Sequence, residues 1–94
     1  MARVRFSRRA VARLDDIGSY ISERDPAAAA RVLAEIDRAA ALIGEHPRIG
    51  RPARVADLRV FVTRRHRYRV IYRVECGTVE IRDVLHPRQS PPGA

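Results

Sequence analysis

The spacing of apolar residues changes once along the chain, from the period of a helix to that of a strand. Between residues 8 and 45 apolar side chains recur every three or four positions, which indicates amphipathic helices. From Leu58 onwards they alternate with polar side chains, which indicates strands. Pro47 lies between the two regions. The sequence therefore predicts a helical half followed by a sheet half.

Two helices are predicted in the first half, near residues 8–23 and 27–45. A short alternating segment, Arg3–Phe6, precedes them and predicts a strand. The Ser7 hydroxyl can cap the first helix, and the pair Asp25-Pro26 can cap and open the second. Because the link between the helices is so short, we expect them to form an antiparallel hairpin.

Three strands are predicted in the second half, over residues 58–63, 68–74 and 78–85. Links of about four and about three residues favour an antiparallel meander. Residues 48–52 are expected to form an irregular loop. The predicted fold class is α+β with the order βααβββ, in which the helical hairpin covers one face of a small antiparallel sheet. One domain is expected over residues 1–88, followed by a flexible tail, 89–94.

Strict alternation assigns the two faces of this sheet. It turns Val70, Tyr72 and Leu85 towards the helices. It leaves Arg69, Arg73, Arg82 and His86 on the open face, joined by Arg59 if Val60 and Val62 face inward. The turn at residues 64–67 adds a cationic tip. The alternative interpretation is a solvated face whose arginine stems only cover apolar surface. The candidate target-binding residues are Arg59, Arg64, Arg65, Arg67, Arg69, Arg73, Arg82 and His86.

The charge of the chain is concentrated in the sheet half. All 19 basic residues are arginine, against 11 acidic residues, which gives a net charge of +8. Residues 1–47 are nearly neutral, whereas residues 48–94 carry 11 arginines and four acidic residues. A one-sided positive field of this kind attracts nucleic acid, the ribosome or an acidic protein.

The residues that could carry chemistry are few. There is no Ser-His-Asp spacing, no glycine-rich phosphate loop and no pair of carboxylates on one strand. The three histidines are far apart, so neither a metal site nor a cofactor is expected. RNA cleavage through its own 2′-hydroxyl is the one reaction this inventory could support: Arg69 and its neighbours would supply charge, and His86 would titrate near neutrality.

The sequence also predicts a compartment. Cys76 is the only cysteine, so no internal disulfide can form and a reducing cytoplasm fits. No 18-residue apolar run and no signal-peptide core are present, so we expect a cytoplasmic protein without a membrane segment.

Five segments together resemble the RelE/ParE toxin superfamily. They are the Gly-Arg-Pro loop at residues 50–52, the Leu-Arg-Val segment at residues 58–60, the Tyr-Arg-x-x-Tyr-Arg strand within residues 67–74, the Val-x-His ending within residues 79–86, and the helical stretch from Ala12 to Ile21. The resemblance extends over roughly residues 3–88 in order and spacing. It implies the toxin of a type II toxin–antitoxin pair, bound by a cognate acidic antitoxin in a hetero-oligomer.

The resemblance leaves two target classes open. RelE-like toxins cut mRNA on the ribosome, and here Arg69 with His86 and Arg88 would be the catalytic residues, with Arg59 matching a further basic position. ParE-like toxins block DNA gyrase. Phe61 stands where a nuclease often has a second basic residue, and no terminal helix with a tyrosine follows, so the ParE-like branch is preferred. A non-toxic binding module is the third hypothesis.

Overall fold

The computed structural model describes residues 2–55 and 57–89. The expected tail, 89–94, lies outside these residues except for Gln89. The α+β fold with the order βααβββ is confirmed, and one short strand is added. The elements are β1 (Arg3–Phe6), α1 (Arg8–Ser22), α2 (Pro26–Glu45), β2 (Arg51–Pro52), β3 (Arg59–Val62), β4 (Arg69–Glu75) and β5 (Thr78–Leu85).

Both helices begin at the predicted caps. The Ser7 hydroxyl accepts a hydrogen bond from the Ala10 N–H, at 3.1 Å, and so satisfies one of the free donors at the start of α1. The Asp25 carboxylate accepts from the N–H groups of Ala27 and Ala28, and Pro26 occupies the first turn of α2. The caps explain why the predicted and observed helix bounds nearly coincide.

The sheet has five strands in the order β1-β5-β4-β3-β2. Strands β3, β4 and β5 form the predicted antiparallel meander. The sheet as a whole is mixed, because β1 pairs parallel to β5. The loop expected at residues 48–52 ends in β2, which pairs with the start of β3. Two residues are too few for any alternation to appear in the sequence.

A bulge in β5 reverses the predicted faces near the end of that strand. Ile71 lies opposite Asp83, whereas Tyr72 lies opposite Ile81, so Arg82 is an extra residue in β5. Val84 therefore packs on the helix side, in the main core. The prediction that Leu85 faces the helices is wrong.

The sheet consequently has apolar residues on both faces. The main core lies between the helices and one face, and its largest fully buried side chain is Tyr72. The opposite face carries a small cluster of Val60, Ile71 and Leu85, against which Ala53 and Leu58 of the β2–β3 connection pack. The open face is thus partly apolar and partly covered.

Tyr72 explains the Gly-Arg-Pro motif. The Gly50 N–H donates to the Tyr72 hydroxyl at 2.8 Å, and that hydroxyl donates to the Pro47 carbonyl at 2.7 Å. A Cβ on Gly50 would lie 2.8 Å from the Tyr72 ring and 2.9 Å from the Val60 carbonyl oxygen, so only glycine fits without a shift. Burial raises the pKa of Tyr72, although the Gly50 N–H and the nearby Arg59 charge act to lower it.

Candidate functional site

The β3–β4 turn is fixed to α2 by Glu35. The Glu35 carboxylate accepts hydrogen bonds from the backbone N–H of Arg65 at 2.7 Å and from that of His66 at 3.0 Å. The same carboxylate contacts His66 Nδ1 at 2.9 Å. At the base of the turn, the N–H of buried Thr63 donates to the Tyr68 carbonyl, and the Tyr68 N–H donates to the Thr63 hydroxyl. The turn is therefore held in one position against the helix.

Glu35 is charged at physiological pH. Its burial acts to raise the pKa, but the hydrogen bonds from Arg65, His66 and Thr63 outweigh burial and lower the pKa of Glu35 to about 2. The carboxylate is thus satisfied by the turn and has little capacity left for other partners.

Five arginines around this turn form a basic turn cluster. Arg31 and Arg38 lie one helical turn before and after Glu35 on the same face of α2, and the other three belong to the turn. Within residues 2–55 and 57–89 none of the five guanidinium groups has a hydrogen-bond or ion-pair partner. The arginine-rich turn lies where the sequence predicted it, and Arg31 and Arg38 of α2 enlarge its positive surface. The cluster consists of Arg31, Arg38, Arg64, Arg65 and Arg67.

Sequence reasoning missed Arg31 and Arg38. Their spacing around Glu35 was a weak signal, because it indicates only that the three side chains share one face of a helix. That this face meets the turn follows from tertiary packing.

The open sheet face is less positive than the sequence suggests. Glu80 of β5 binds Arg5 at 2.7 Å and lies 3.6 Å from Arg82, and Arg73 binds Glu75 at 3.1 Å. The hydrogen bond from Arg5 lowers the pKa of Glu80 against a smaller opposing effect of burial, and the charges of Arg5, Arg82 and Arg73 add to the lowering. The predicted candidates Arg73 and Arg82 are therefore paired with carboxylates.

Arg59 does not join the open face. It lies opposite Tyr72 in the sheet register and so faces the helix side, whereas Val60 packs in the cluster on the opposite face. The Arg59 guanidinium donates to the carbonyls of Gly50 at 2.5 Å and Arg48 at 3.3 Å. The condition for its placement on the open face is not met, because Val60 and Val62 turn away from the helices. Arg59 stabilises the loop before β2.

Arg69 is also bound to backbone. Its guanidinium donates to the carbonyls of Pro87 at 2.5 Å and Gln89 at 3.1 Å. The Arg69 Nε is buried and has no partner in the part of the chain that the structure describes. Arg69 thus fixes the segment that follows β5.

His86 does not lie with Arg73 on the open face. Its ring makes an edge contact with Tyr68, a residue of the main core, with 5.6 Å between the ring centres. The bulge at Arg82 is the reason, since it shifts every later residue of β5 to the other side. The Arg88 N–H donates to His86 Nδ1 at 3.1 Å, which places the proton of a neutral ring on Nε2.

Among residues 2–55 and 57–89 the structure shows neither a candidate metal site nor a membrane-spanning helix. No three histidine, cysteine or acidic side chains there come together closely enough to hold a metal ion. No helix in that part of the chain has both the length and the apolar character needed to cross a bilayer.

Comparison with known proteins identifies the family. The model of the ParE toxin of the type II toxin–antitoxin system parDE matches residues 4–91. The chain belongs to the ParE toxin family. A relative from Sinorhizobium fredii (strain NBRC 101917 / NGR234), named "Putative toxin Y4kP", is 43% identical over 90 residues, which cover 96% of this chain and 93% of the relative. The expected RelE/ParE relationship is thus confirmed.

Solved structures have the same fold. A chain of the chromosomal ParDE toxin–antitoxin system from P. aeruginosa superposes with a TM-score of 0.83 at 21% identity, covering 92% of this ParE-family chain and 96% of that one. A chain of the intact E. coli RelBE toxin–antitoxin complex gives a TM-score of 0.65 at 19% identity, covering 95% of this chain and 100% of that one. The isolated E. coli RelE toxin superposes with a TM-score of 0.66 at 20% identity, and the match covers 96% of this chain and 88% of that one.

Proposed function

We propose that this ParE-family chain inhibits DNA gyrase and is neutralised by a cognate acidic antitoxin in a hetero-oligomer. The observation that carries the proposal is the basic turn cluster, whose five guanidinium groups have no partner among the described residues. Half of the other fourteen arginines, among them Arg5, Arg59 and Arg69, are bound to carboxylates or carbonyls of the protein itself. The cluster gathers five unpartnered guanidinium groups around a turn that is fixed to a helix, which suits it to binding another macromolecule.

The geometry supports docking. Glu35 holds the turn in place, so Arg64 and Arg65 are presented with little loss of backbone freedom on binding. Arginines gathered on one end of a small protein create a positive potential that extends about 8 Å at physiological salt and steers acidic partners. A protein that inhibits by binding needs such a surface and no reacting group.

The mRNA endonuclease is the second candidate, because Arg69, His86 and Arg88 all meet at residues 86–89. Cleavage requires a free proton acceptor and unoccupied positive charge at the phosphate. Here the Arg69 guanidinium is bound to two carbonyls, and His86 Nδ1 is bound to the Arg88 N–H. Only Nε2 of His86 remains for chemistry, which favours docking over cleavage.

The test compares three variants in growth arrest, in gyrase supercoiling and in mRNA cleavage in a translation extract. The double variant R64A/R65A removes two charges of the cluster without placing a new carboxylate beside Glu35. We expect its supercoiling inhibition to fall about tenfold, which corresponds to about 1.4 kcal/mol. H86Q should remain as toxic as the parent, because the His86 ring that it removes packs on Tyr68, outside the cluster.

R9A is the matched control, since Arg9 is an exposed arginine of α1 outside the cluster. It should inhibit gyrase like the parent. Ribosome-dependent mRNA cuts that disappear in H86Q would replace the gyrase proposal with the nuclease. Expression without any growth arrest would contradict both and favour the non-toxic binding module.

A further inference from the structure

Two hollows adjoin one another between α2 and the β3–β4 turn. The first, of about 120 Å³, is cationic and is lined by Arg31, Ala34, Glu35, Arg38, Arg65 and His66. The second, of about 180 Å³, has a mainly apolar lining that also includes Glu35, Thr63 and two arginines. Glu35 and Arg38 line both hollows, which are therefore neighbours along α2, and the pair is called the groove below.

We propose that this groove binds an extended acidic segment of the cognate antitoxin, with a carboxylate in the cationic hollow and an apolar side chain in the other. The inference rests on the proposed function, in that it takes the antitoxin as the partner. It adds the binding site and the pattern of residues that the site recognises.

The cationic hollow has the chemistry of a carboxylate site. Arg31, Arg38 and Arg65 have no partner among the described residues, whereas the Glu35 carboxylate is already occupied by the turn. His66 directs Nδ1 to Glu35, which leaves Nε2 as a further polar contact. Three guanidinium groups against one satisfied carboxylate favour an anion, and a guanidinium can donate two parallel hydrogen bonds to a carboxylate.

The second hollow has the chemistry of an apolar anchor site. Ala39, Leu42 and Phe61 form its walls. Leu42 is 37% exposed, although it is a large apolar residue on a helix. Arg38 and Arg64 also line this hollow, where their charges favour an acidic ligand over a basic one. One aliphatic or aromatic side chain, flanked by acidic residues, fits these surroundings.

The distance between the two hollows determines how far apart the acidic and apolar residues of the bound segment should be. Along α2 the lining of the cationic hollow runs from Arg31 to Arg38, and that of the apolar hollow runs from Glu35 to Leu42. With a rise of 1.5 Å per residue, the midpoints of these two ranges are roughly 6 Å apart. Two residues of an extended chain span roughly 7 Å and direct their side chains to the same side. The antitoxin segment should therefore carry its acidic and apolar residues two positions apart.

Occupation of the groove would also explain neutralisation. Arg64 and Arg65 line the two hollows and belong to the basic turn cluster. A bound segment would cover both arginines and satisfy part of the charge that the target otherwise meets. The antitoxin would then compete directly with the target.

The first experiment is an NMR titration of the ¹⁵N-labelled full chain with two synthetic heptapeptides, acetyl-Gly-Ser-Asp-Ser-Leu-Ser-Gly-amide and its reversed order. We expect one of them to shift the amide signals of Ala34, Ala39, Leu42 and His66 at millimolar concentration. Replacing Asp by Asn, or Leu by Ser, should each weaken binding about tenfold. Equal binding of all the peptides, or shifts confined to another surface, would overturn the inference. So would selective shifts of these signals by inorganic phosphate or a short RNA and by no peptide.

The second experiment uses the antitoxin encoded beside the gene, co-expressed with the chain. R38A and L42S should each weaken the complex about tenfold, whereas the control R9A should change its affinity less than twofold. Neutralisation that is unchanged in R38A and L42S would refute the groove and leave the proposed function standing. Failure of the neighbouring gene product to bind the parent chain at all would refute the antitoxin partnership itself.

Discussion

Replacing Glu35 by glutamine should destabilise the fold in a pH-dependent way. The carboxylate receives two backbone N–H groups and the His66 ring, and its side chain is only 12% exposed. Glutamine keeps one carbonyl oxygen but lacks the charge and the second acceptor. An N–H donor left without its charged partner near the protein interior is costly.

The size of the effect follows from the pKa of Glu35, which folding lowers from 4.5 to about 2. Each pKa unit corresponds to about 1.4 kcal/mol, so the ionised form contributes at most about 3 kcal/mol at pH 7. Because the folded pKa is the lower one, this contribution is complete above pH 4.5 and is lost as the pH falls towards 2. At pH 3 about 1.4 kcal/mol remains. We therefore expect the cost of E35Q to be about 2 kcal/mol smaller at pH 3 than at pH 7.

The assay is urea unfolding of both proteins at pH 7 and pH 3, followed by circular dichroism, with the difference in unfolding free energy compared between the two pH values. Glu80, whose pKa is also lowered, is present in both proteins and cancels in that difference. The matched control is E45Q, an exposed residue at the end of the same helix, which should change stability by less than about 0.5 kcal/mol. A difference between parent and E35Q that stays constant from pH 7 to pH 3 would refute the assigned role of the charge.

Three further substitutions test local parts of the fold by urea unfolding at pH 7. Y72F removes the buried hydroxyl that links Gly50 and Pro47 and should cost about 1–3 kcal/mol; an unchanged midpoint would contradict the link. S7A removes the cap of α1 and the hydrogen bond to the Arg82 carbonyl and should cost about 1–2 kcal/mol, with S7T, which keeps the hydroxyl, as the variant expected to restore it. G77A places a Cβ at φ 74° in the β4–β5 turn and should cost about 1 kcal/mol despite the open space there, so a stabilised variant would refute the backbone argument.

The elements of this fold could be predicted because their signals are local. Ser7 and Asp25 act within three residues of themselves, and alternation along residues 69–75 and 78–85 is visible in any short window. The caps and the change of period therefore fixed both helices and the three meander strands to within about two residues.

The site could be predicted only in part, because its geometry depends on long-range contacts. The bulge at Arg82 has no local signal, since every residue around it is compatible with a regular strand, and yet it decides the side on which Leu85 and His86 lie. The Glu35 contact with the turn joins residues 30 and 31 positions apart. Local patterns located the exposed turn arginines but could not indicate that α2 completes the cluster.

The parallel pairing of β1 with β5 has a consequence for the way this protein is made. Arg3 lies opposite Thr78 and Phe6 opposite Ile81, and the Ser7 hydroxyl donates to the Arg82 carbonyl. The first strand thus receives its sheet partner only when a strand about 75 residues later has been synthesised. Contacts so distant in sequence slow folding, because the long loop must close before they stabilise anything. A growing chain that has not reached Leu85 cannot complete its sheet, so the fold forms only once nearly the whole chain has been synthesised.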